Sequence, residues 1–176
     1  MLKAYETSGD ILFQEQQHFP AWIKSLTIGI VVLATVVVLI GGVAAPTNKR
    51  AEMWFALAVM VTVDLLLLAI FHNVTFEKVV TTNGIYFRWS PWQQKFRLIG
   101  KEEIRTFEGR NTAPLHFGIG WFPGYGWTHN ASMAQGIQLY LEDERKFFLG
   151  TANKDQFGAA IQNLTSSNPK PNSGDF

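Results

Sequence analysis

The fold of this chain is decided by two apolar runs, WIKSLTIGIVVLATVVVLIGGVAA at residues 22–45 and MWFALAVMVTVDLLLLAIF at residues 53–71. Each run holds a single charged residue, Lys24 in the first and Asp64 in the second. The hydrocarbon core of a bilayer is about 30 Å thick, and a helix needs about 20 apolar residues to cross it. Both runs are long enough, and only the short segment PTNKRAE joins them. We therefore predict a hairpin of two transmembrane helices.

The composition of the chain indicates that membrane and soluble parts are separate. The 176 residues are 47% hydrophobic, yet the mean hydropathy is only +0.05. We predict four parts: a polar N-terminal tail at residues 1–21, the hairpin at 22–71, a soluble domain at 72–164 and a disordered tail at 165–176. A cleavable signal peptide is the alternative for the first run, but that run is longer than the usual apolar region of about 7 to 15 residues.

The charge and the cysteine content exclude several classes of function. A net charge of +1 argues against nucleic-acid binding, which needs a dense basic surface. The chain has no cysteine, so it has neither a disulfide framework nor a thiolate metal site. We expect no cofactor.

After residue 72 the pattern changes to that of β-strands. Runs at residues 74–81 and 85–89 flank Asn83-Gly84, a pair typical of tight hairpin turns. Residues 95–99, 103–108, 136–141 and 145–149 are predicted as further strands, the last two as a hairpin. Asn153 precedes a predicted helix whose apolar face consists of Phe157, Ala160, Ile161 and Leu164. The predicted fold class is a membrane helical hairpin plus an α+β domain, in which an antiparallel sheet or partly open barrel is capped by the C-terminal helix. The N-terminal tail is either an added strand or an interfacial segment.

The order of these features resembles that of small bacterial membrane proteins that carry a pleckstrin-homology-like (PH-like) domain. The resemblance rests on Phe13-x-Glu15-x-Gln17, the helical hairpin, Asn83-Gly84-Ile85, Gly136-Ile137-x-Leu139-x-Leu141 and Phe148-x-Gly150-Thr151. It implies a two-pass protein of the bacterial inner membrane, with the soluble domain in the cytoplasm. It brings no catalytic residues with it.

An aromatic stretch, FGIGWFPGYGWTH at residues 117–129, is the candidate binding loop. Four glycines give its backbone freedom to turn, and loops that display large apolar groups are often binding surfaces. We expect Trp121, Phe122, Tyr125 and Trp127 to contact a partner. The alternative is an irregular strand and bulge whose aromatic side chains complete the core.

Asp64 is the candidate intramembrane site. An ionisable side chain at that depth costs about 2.5 to 3.5 kcal/mol and usually faces a partner or a water-filled path. One interpretation is an assembly contact, and the other is a carboxyl bonded to Thr35 or a nearby backbone group that keeps the hairpin closed.

The remaining polar residues indicate binding more than catalysis. His116 and His129 flank the aromatic stretch, but two histidines at its opposite ends do not form a typical metal site. Our favoured hypothesis is a membrane-anchored binding or assembly module, not an enzyme, that serves as an accessory subunit in a membrane complex and contacts lipids and a protein partner. The alternatives are recognition of lipid headgroups by Lys95, Arg97, Lys101 and Arg105, and an enzyme with a site near His116 and His129.

Overall fold

The computed structural model describes residues 7–44, 46–111, 118–131 and 135–166. Three helices and nine strands are found in these residues, together with short 3-10 turns at Thr47–Lys49 and Lys101–Glu103. The helices are α1 (Ala21–Ala44), α2 (Arg50–Asn73) and α3 (Lys154–Ser166). The strands are β1 (Ile11–His18), β2 (Thr75–Thr81), β3 (Gly84–Ser90), β4 (Arg97–Gly100), β5 (Ile104–Asn111), β6 (Gly118–Phe122), β7 (Gly126–Asn130), β8 (Gln135–Leu141) and β9 (Lys146–Gly150).

The chain divides into two compact units, which are described separately. Residues 19–74 form the helical hairpin, and the other described residues form what we call the sheet unit. In the hairpin, α1 and α2 are 24 residues each and are long and apolar enough to cross a membrane. Pro46 precedes the 3-10 turn that joins them.

The first sheet has the antiparallel order β1-β2-β3-β4. The predicted hairpin at Asn83-Gly84 joins β2 to β3, and Gly84 has a φ of 155°. β1 pairs with β2, with His18 opposite Thr75. Alternate residues of β1 are buried, as expected for a strand with one face on a core. Of the two interpretations of the N-terminal tail, the added strand is therefore the one that the structure contains.

The second sheet has the order β5-β8-β9-β7-β6 and differs from the antiparallel expectation at one pair. β9 pairs antiparallel with β8 but parallel with β7. The reason is topological. β8 runs in the direction opposite to β7, and β9 turns back and lies between the two strands, so that it is antiparallel to β8 and parallel to β7. In the described residues neither sheet pairs with the other, so the strands do not close into a barrel.

The core of the sheet unit contains aliphatic and aromatic side chains from both sheets and from α3. All four predicted residues of the α3 apolar face are buried, which confirms that face: Phe157, Ala160, Ile161 and Leu164. The phenyl ring of Phe157 lies 5.3 Å from that of Phe13 in β1. α3 begins at Lys154, immediately after Asn153, and ends at Ser166. The rest of the predicted disordered tail lies outside the described residues.

Candidate functional site

The aromatic stretch forms a regular β-hairpin made of β6 and β7. Trp121 lies opposite Trp127, and Ile119 lies opposite His129. The two strands are joined by a tight turn in which the Tyr125 amide donates to the Phe122 carbonyl oxygen at 3.1 Å. Gly124 and Gly126 have φ values of 81° and 72°, which side chains with a Cβ rarely adopt. These glycines explain why the chain reverses at this point.

One face of this hairpin displays large apolar side chains. Residues two apart on a strand and cross-strand partners point to the same face of a sheet, which groups Ile119, Trp121 and Trp127. They are 44%, 61% and 49% exposed, respectively. The same face continues to His129, which is in the core. We call Ile119, Trp121 and Trp127 the aromatic patch.

Tyr125 has a different environment from the two tryptophans. Its ring packs edge-on against Phe148, with 5.6 Å between ring centroids, and its hydroxyl donates to the Asn111 carbonyl oxygen at 3.2 Å. The Arg110 guanidinium lies 4.5 Å from the ring centroid. The Tyr125 carbonyl oxygen also accepts from the buried Gln138 amide at 2.9 Å. Tyr125 and Phe122 are partly buried, so the structure divides the four residues that the sequence grouped as a binding loop.

His129 lies inside the aromatic core. It is 1% exposed, and its Nδ1 accepts a hydrogen bond of 3.1 Å from the indole N–H of Trp89. The rings of Phe76 and Phe87 lie 6.1 and 4.9 Å away. Burial, together with the charge of Arg97, lowers the pKa of His129 to about 4. The imidazole is therefore neutral at pH 7 and shielded from solvent. The other candidate histidine, His116, lies outside the described residues.

A buried ion pair that sequence reasoning missed joins β1 to β2. The Lys78 ammonium is fully buried, lies 2.9 Å from Glu15 Oε2 and donates to the Gly150 carbonyl oxygen. Glu15 also accepts from the Thr151 hydroxyl at 2.6 Å and the Ala152 amide at 2.8 Å. The buried face of β1 carries the polar residues Glu15 and Gln17, so the sequence pattern does not mark it as buried. Nothing local in the sequence indicates that the partner of Glu15 is Lys78.

The pKa values of this pair reflect burial and mutual attraction. Burial alone would raise the pKa of Glu15, but the Lys78 charge and the hydrogen bonds from Thr151, Lys78 and Gln17 together hold it below its usual value. Burial lowers the pKa of Lys78 to about 8, and the Glu15 carboxylate opposes that shift. Both groups are therefore charged near pH 7. Their role is to hold β1, β2 and the segment before α3 together.

The four basic residues proposed for lipid headgroups lie near the β4–β5 connection. Lys95 precedes β4, Arg97 is its first residue, Lys101 begins the 3-10 turn and Arg105 is in β5. Arg97 lines a cavity of about 370 Å³ whose other lining residues include Arg145, Glu103 and Phe147. The other three basic residues do not line that cavity.

Asp64 is partly buried in the hairpin, on the side of α2 that faces α1. The Thr35 hydroxyl of α1 donates to Asp64 Oδ2 at 3.5 Å, which is a long hydrogen bond. The Val31 carbonyl oxygen, at 2.9 Å, is the closer of the two acceptors for the single Thr35 hydroxyl proton. The structure thus contains the predicted Asp64–Thr35 contact.

The described residues contain no group of three or more histidine, aspartate or glutamate side chains arranged to hold a metal ion. Comparison of the chain with protein-family models, with curated proteins and with solved structures found no match in any of the three. The class that the geometry defines is an apolar helical hairpin joined to a two-sheet unit with an exposed aromatic patch. Function must therefore be argued from these residues.

Proposed function

We propose that the chain is a membrane-anchored binding or assembly module and not an enzyme. In this proposal the helical hairpin crosses the bilayer, and a PH-like sheet unit presents the aromatic patch to a protein partner. The partner belongs to a membrane complex in which this chain is an accessory subunit. The location is the inner membrane of a bacterium, with the sheet unit in the cytoplasm.

The outward surface of the hairpin supports membrane insertion. Its exposed apolar side chains come from every turn of both helices and include Leu26, Ile30, Leu33, Val37 and Ile40 of α1 and Phe55, Val59, Val63, Leu66 and Ile70 of α2. A continuous apolar surface of this size is rarely left in water, because full burial of each such side chain is favourable by about 1.5 to 3 kcal/mol of free energy. Lipid hydrocarbon covers such a surface without ordering further protein.

The basic residues near the helix ends do not decide the orientation. Lys24, Lys78 and Arg88 are on the side of the sheet unit, and Lys49 and Arg50 are at the turn. Lysine and arginine are more frequent in cytoplasmic segments. The count of three against two is nearly equal, and the adjacent residues Lys49 and Arg50 favour the opposite orientation. The cytoplasmic location is proposed because the resemblance to small bacterial membrane proteins implies it.

The two sheets and α3 support the PH-like part of the proposal. Side chains of the two sheets are in contact where Phe87 of β3 packs against His129 of β7, and α3 buries Phe157 and Leu164. A fold of this kind hosts many binding functions and specifies none by itself. The binding function is therefore argued from the aromatic patch alone.

The single observation that carries the proposal is the exposed pair Trp121 and Trp127. A large aromatic side chain buries about 150 to 250 Å² in a contact, so two tryptophans and Ile119 provide a patch near the few hundred Å² typical of binding sites. Tryptophan is also the residue most enriched among those that dominate binding energy at protein interfaces. Ile119, Trp121 and Trp127 are all exposed and apolar, which favours an apolar protein surface as the partner.

The experiment is photo-crosslinking in native membranes, with a crosslinking amino acid at position 121 of the full chain. We expect one discrete adduct, and we expect Trp127→Ser to reduce its yield at least tenfold. The matched control is position 92, since Trp92 is 56% exposed on the same unit but lies outside the patch. An equal adduct at position 92, or an adduct at position 121 that Trp127→Ser leaves unchanged, would contradict the proposal.

The folding control for this experiment is thermal unfolding of the purified chain in detergent. Because Trp121 and Trp127 are 61% and 49% exposed, their replacement by serine should change the free energy of unfolding by about 0.5 kcal/mol or less. Loss of several kcal/mol would mean that the tryptophans belong to the core.

A further inference from the structure

A groove lies between the first turns of α1 and the last turns of α2, at the end of the hairpin away from the 3-10 turn. Its volume is about 360 Å³, and six of its lining residues carry the argument: Lys24 and Ile28 from α1, and Leu68, Phe71, His72 and Asn73 from α2. All of them belong to the helical hairpin. The volume lies at the lower end of the range of about 300 to 1,000 Å³ for ligand pockets.

The groove changes from polar to apolar along the helix axes. Lys24, His72 and Asn73 lie at its outer end, where the chain enters α1 and leaves α2. Ile28 and Leu68 lie four residues further in, which is about 6 Å along each helix. The groove therefore has cationic and hydrogen-bonding groups at the depth of lipid headgroups and aliphatic walls at the depth of acyl chains.

The charge of Lys24 is not neutralised within the described residues. The first turn of α1 contains no acidic residue, and none of the residues that line the groove is acidic. No carboxylate of the described residues lies within ion-pair distance of Lys24. An anion at this end of the groove would be the complement of that charge.

We propose that this groove binds one anionic phospholipid of the surrounding bilayer. Lys24 and His72 contact the phosphate of its headgroup, and the first part of one acyl chain lies along Ile28 and Leu68. The inference rests on the proposed insertion of the hairpin into a membrane. It is independent of the protein partner at the aromatic patch.

The experiment is native mass spectrometry of the full chain, taken from mixed micelles with equal amounts of phosphatidylglycerol and phosphatidylcholine. We expect the wild-type chain to retain one phosphatidylglycerol in preference to phosphatidylcholine. Lys24→Gln should reduce that preference about fivefold, the effect of one basic residue at an anionic headgroup. Lys24→Arg keeps the positive charge and should retain most of the preference.

Two further variants separate this groove from general charge attraction. Lys49→Gln removes a cation at the opposite end of the hairpin and should leave the preference unchanged. Ala69→Phe adds a ring at the apolar wall and should displace both lipids. An unchanged preference in Lys24→Gln, or an equal loss in Lys49→Gln, would overturn the inference.

Failure of membrane insertion would be seen separately. If alkaline carbonate extracts the chain from membranes, then both the membrane anchoring and this inference are wrong. If the chain stays in the membrane and Lys24→Gln has no effect, only the inference is wrong.

Discussion

At the scale of single residues, Lys78 shows how a charge can be tolerated in the core of the sheet unit. A lone buried ammonium would cost several kcal/mol, and the cost is offset here by Glu15 and the Gly150 carbonyl oxygen. Removing one member of such a pair usually costs about 3 to 5 kcal/mol, because the other charge is left unpaired. The pair therefore makes the structure depend on β1 lying beside β2.

His129 gives a prediction for the dependence of stability on pH. Its pKa in the folded chain is about 4, below the ordinary value of 6.5, so the unfolded chain binds a proton in this interval and the folded chain does not. Stability should therefore fall as the pH drops from 6.5 towards 4, by up to about 3 kcal/mol. The measurement is chemical unfolding of the purified chain in detergent at several pH values, followed by tryptophan fluorescence.

The variants for this prediction are two single substitutions. His129→Gln keeps an acceptor for the Trp89 indole N–H and should remove most of the slope. His18→Gln replaces an exposed histidine of β1 and is the control for the loss of a histidine outside the core. Glu15 has a lowered pKa, so its contribution is lost only as the pH falls below about 4.5 and through its own folded value. An identical slope between pH 6.5 and 4.5 in His129→Gln would show that another group is responsible.

At the scale of elements, the β6–β7 turn depends on two glycines that differ in their surroundings. Both have positive φ, but a Cβ at Gly124 would meet nothing within 4 Å, whereas one at Gly126 would collide with the Lys146 carbonyl oxygen of β9. Gly124→Ala should cost about 1 kcal/mol from the backbone alone. Gly126→Ala should cost clearly more, because it also separates β7 from β9.

The measurement for this pair is the free energy of unfolding of both variants under one condition. Equal losses would mean that the contact with Lys146 does not limit the packing of β7 on β9. The Gly124→Ala variant should still bind the partner through Trp121 and Trp127, because β6 and β7 remain paired in it.

Elements with local patterns were predictable, and those with distant partners were not. Asn83-Gly84 indicates the β2–β3 hairpin, and the spacing of Phe157, Ala160, Ile161 and Leu164 gives the buried face of α3. The parallel pairing of β7 with β9 has no local pattern, because it depends on where β8 turns. Residues 117–129 were predicted as a binding loop or as an irregular strand and bulge, whereas the structure has the regular β6–β7 hairpin, in which Ile119 and Trp121 alternate with glycine.

The candidate site was predictable in composition but not in orientation. The sequence indicates that residues 117–129 are rich in aromatic side chains. Only the fold separates the exposed Trp121 and Trp127 from Tyr125, which packs on Phe148. Likewise, His129 in the sequence is a candidate for chemistry, and its burial beside Trp89 depends on β3, which lies 40 positions earlier.

At the scale of the whole molecule, the two apolar helices predict that both ends of the chain lie on one side of a membrane. Epitope tags at the two ends of the full chain, combined with protease treatment of sealed vesicles, measure this directly. We expect both tags to be cleaved or both to be protected. One cleaved and one protected tag would mean that only one helix crosses the bilayer.

His18 at the end of β1 pairs with Thr75 at the start of β2, although the whole hairpin separates these two strands along the chain. During translation β1 emerges first, and it must wait until residues 19–74 have been made before β2 exists. A chain that inserted only one helix would hold β1 and β2 on opposite sides of the bilayer, with Lys78 separated from Glu15. Such a chain could not pair β1 with β2 and so could not complete its first sheet. If the hairpin inserts as proposed, the crossing of both helices is therefore a condition for β1 to pair with β2.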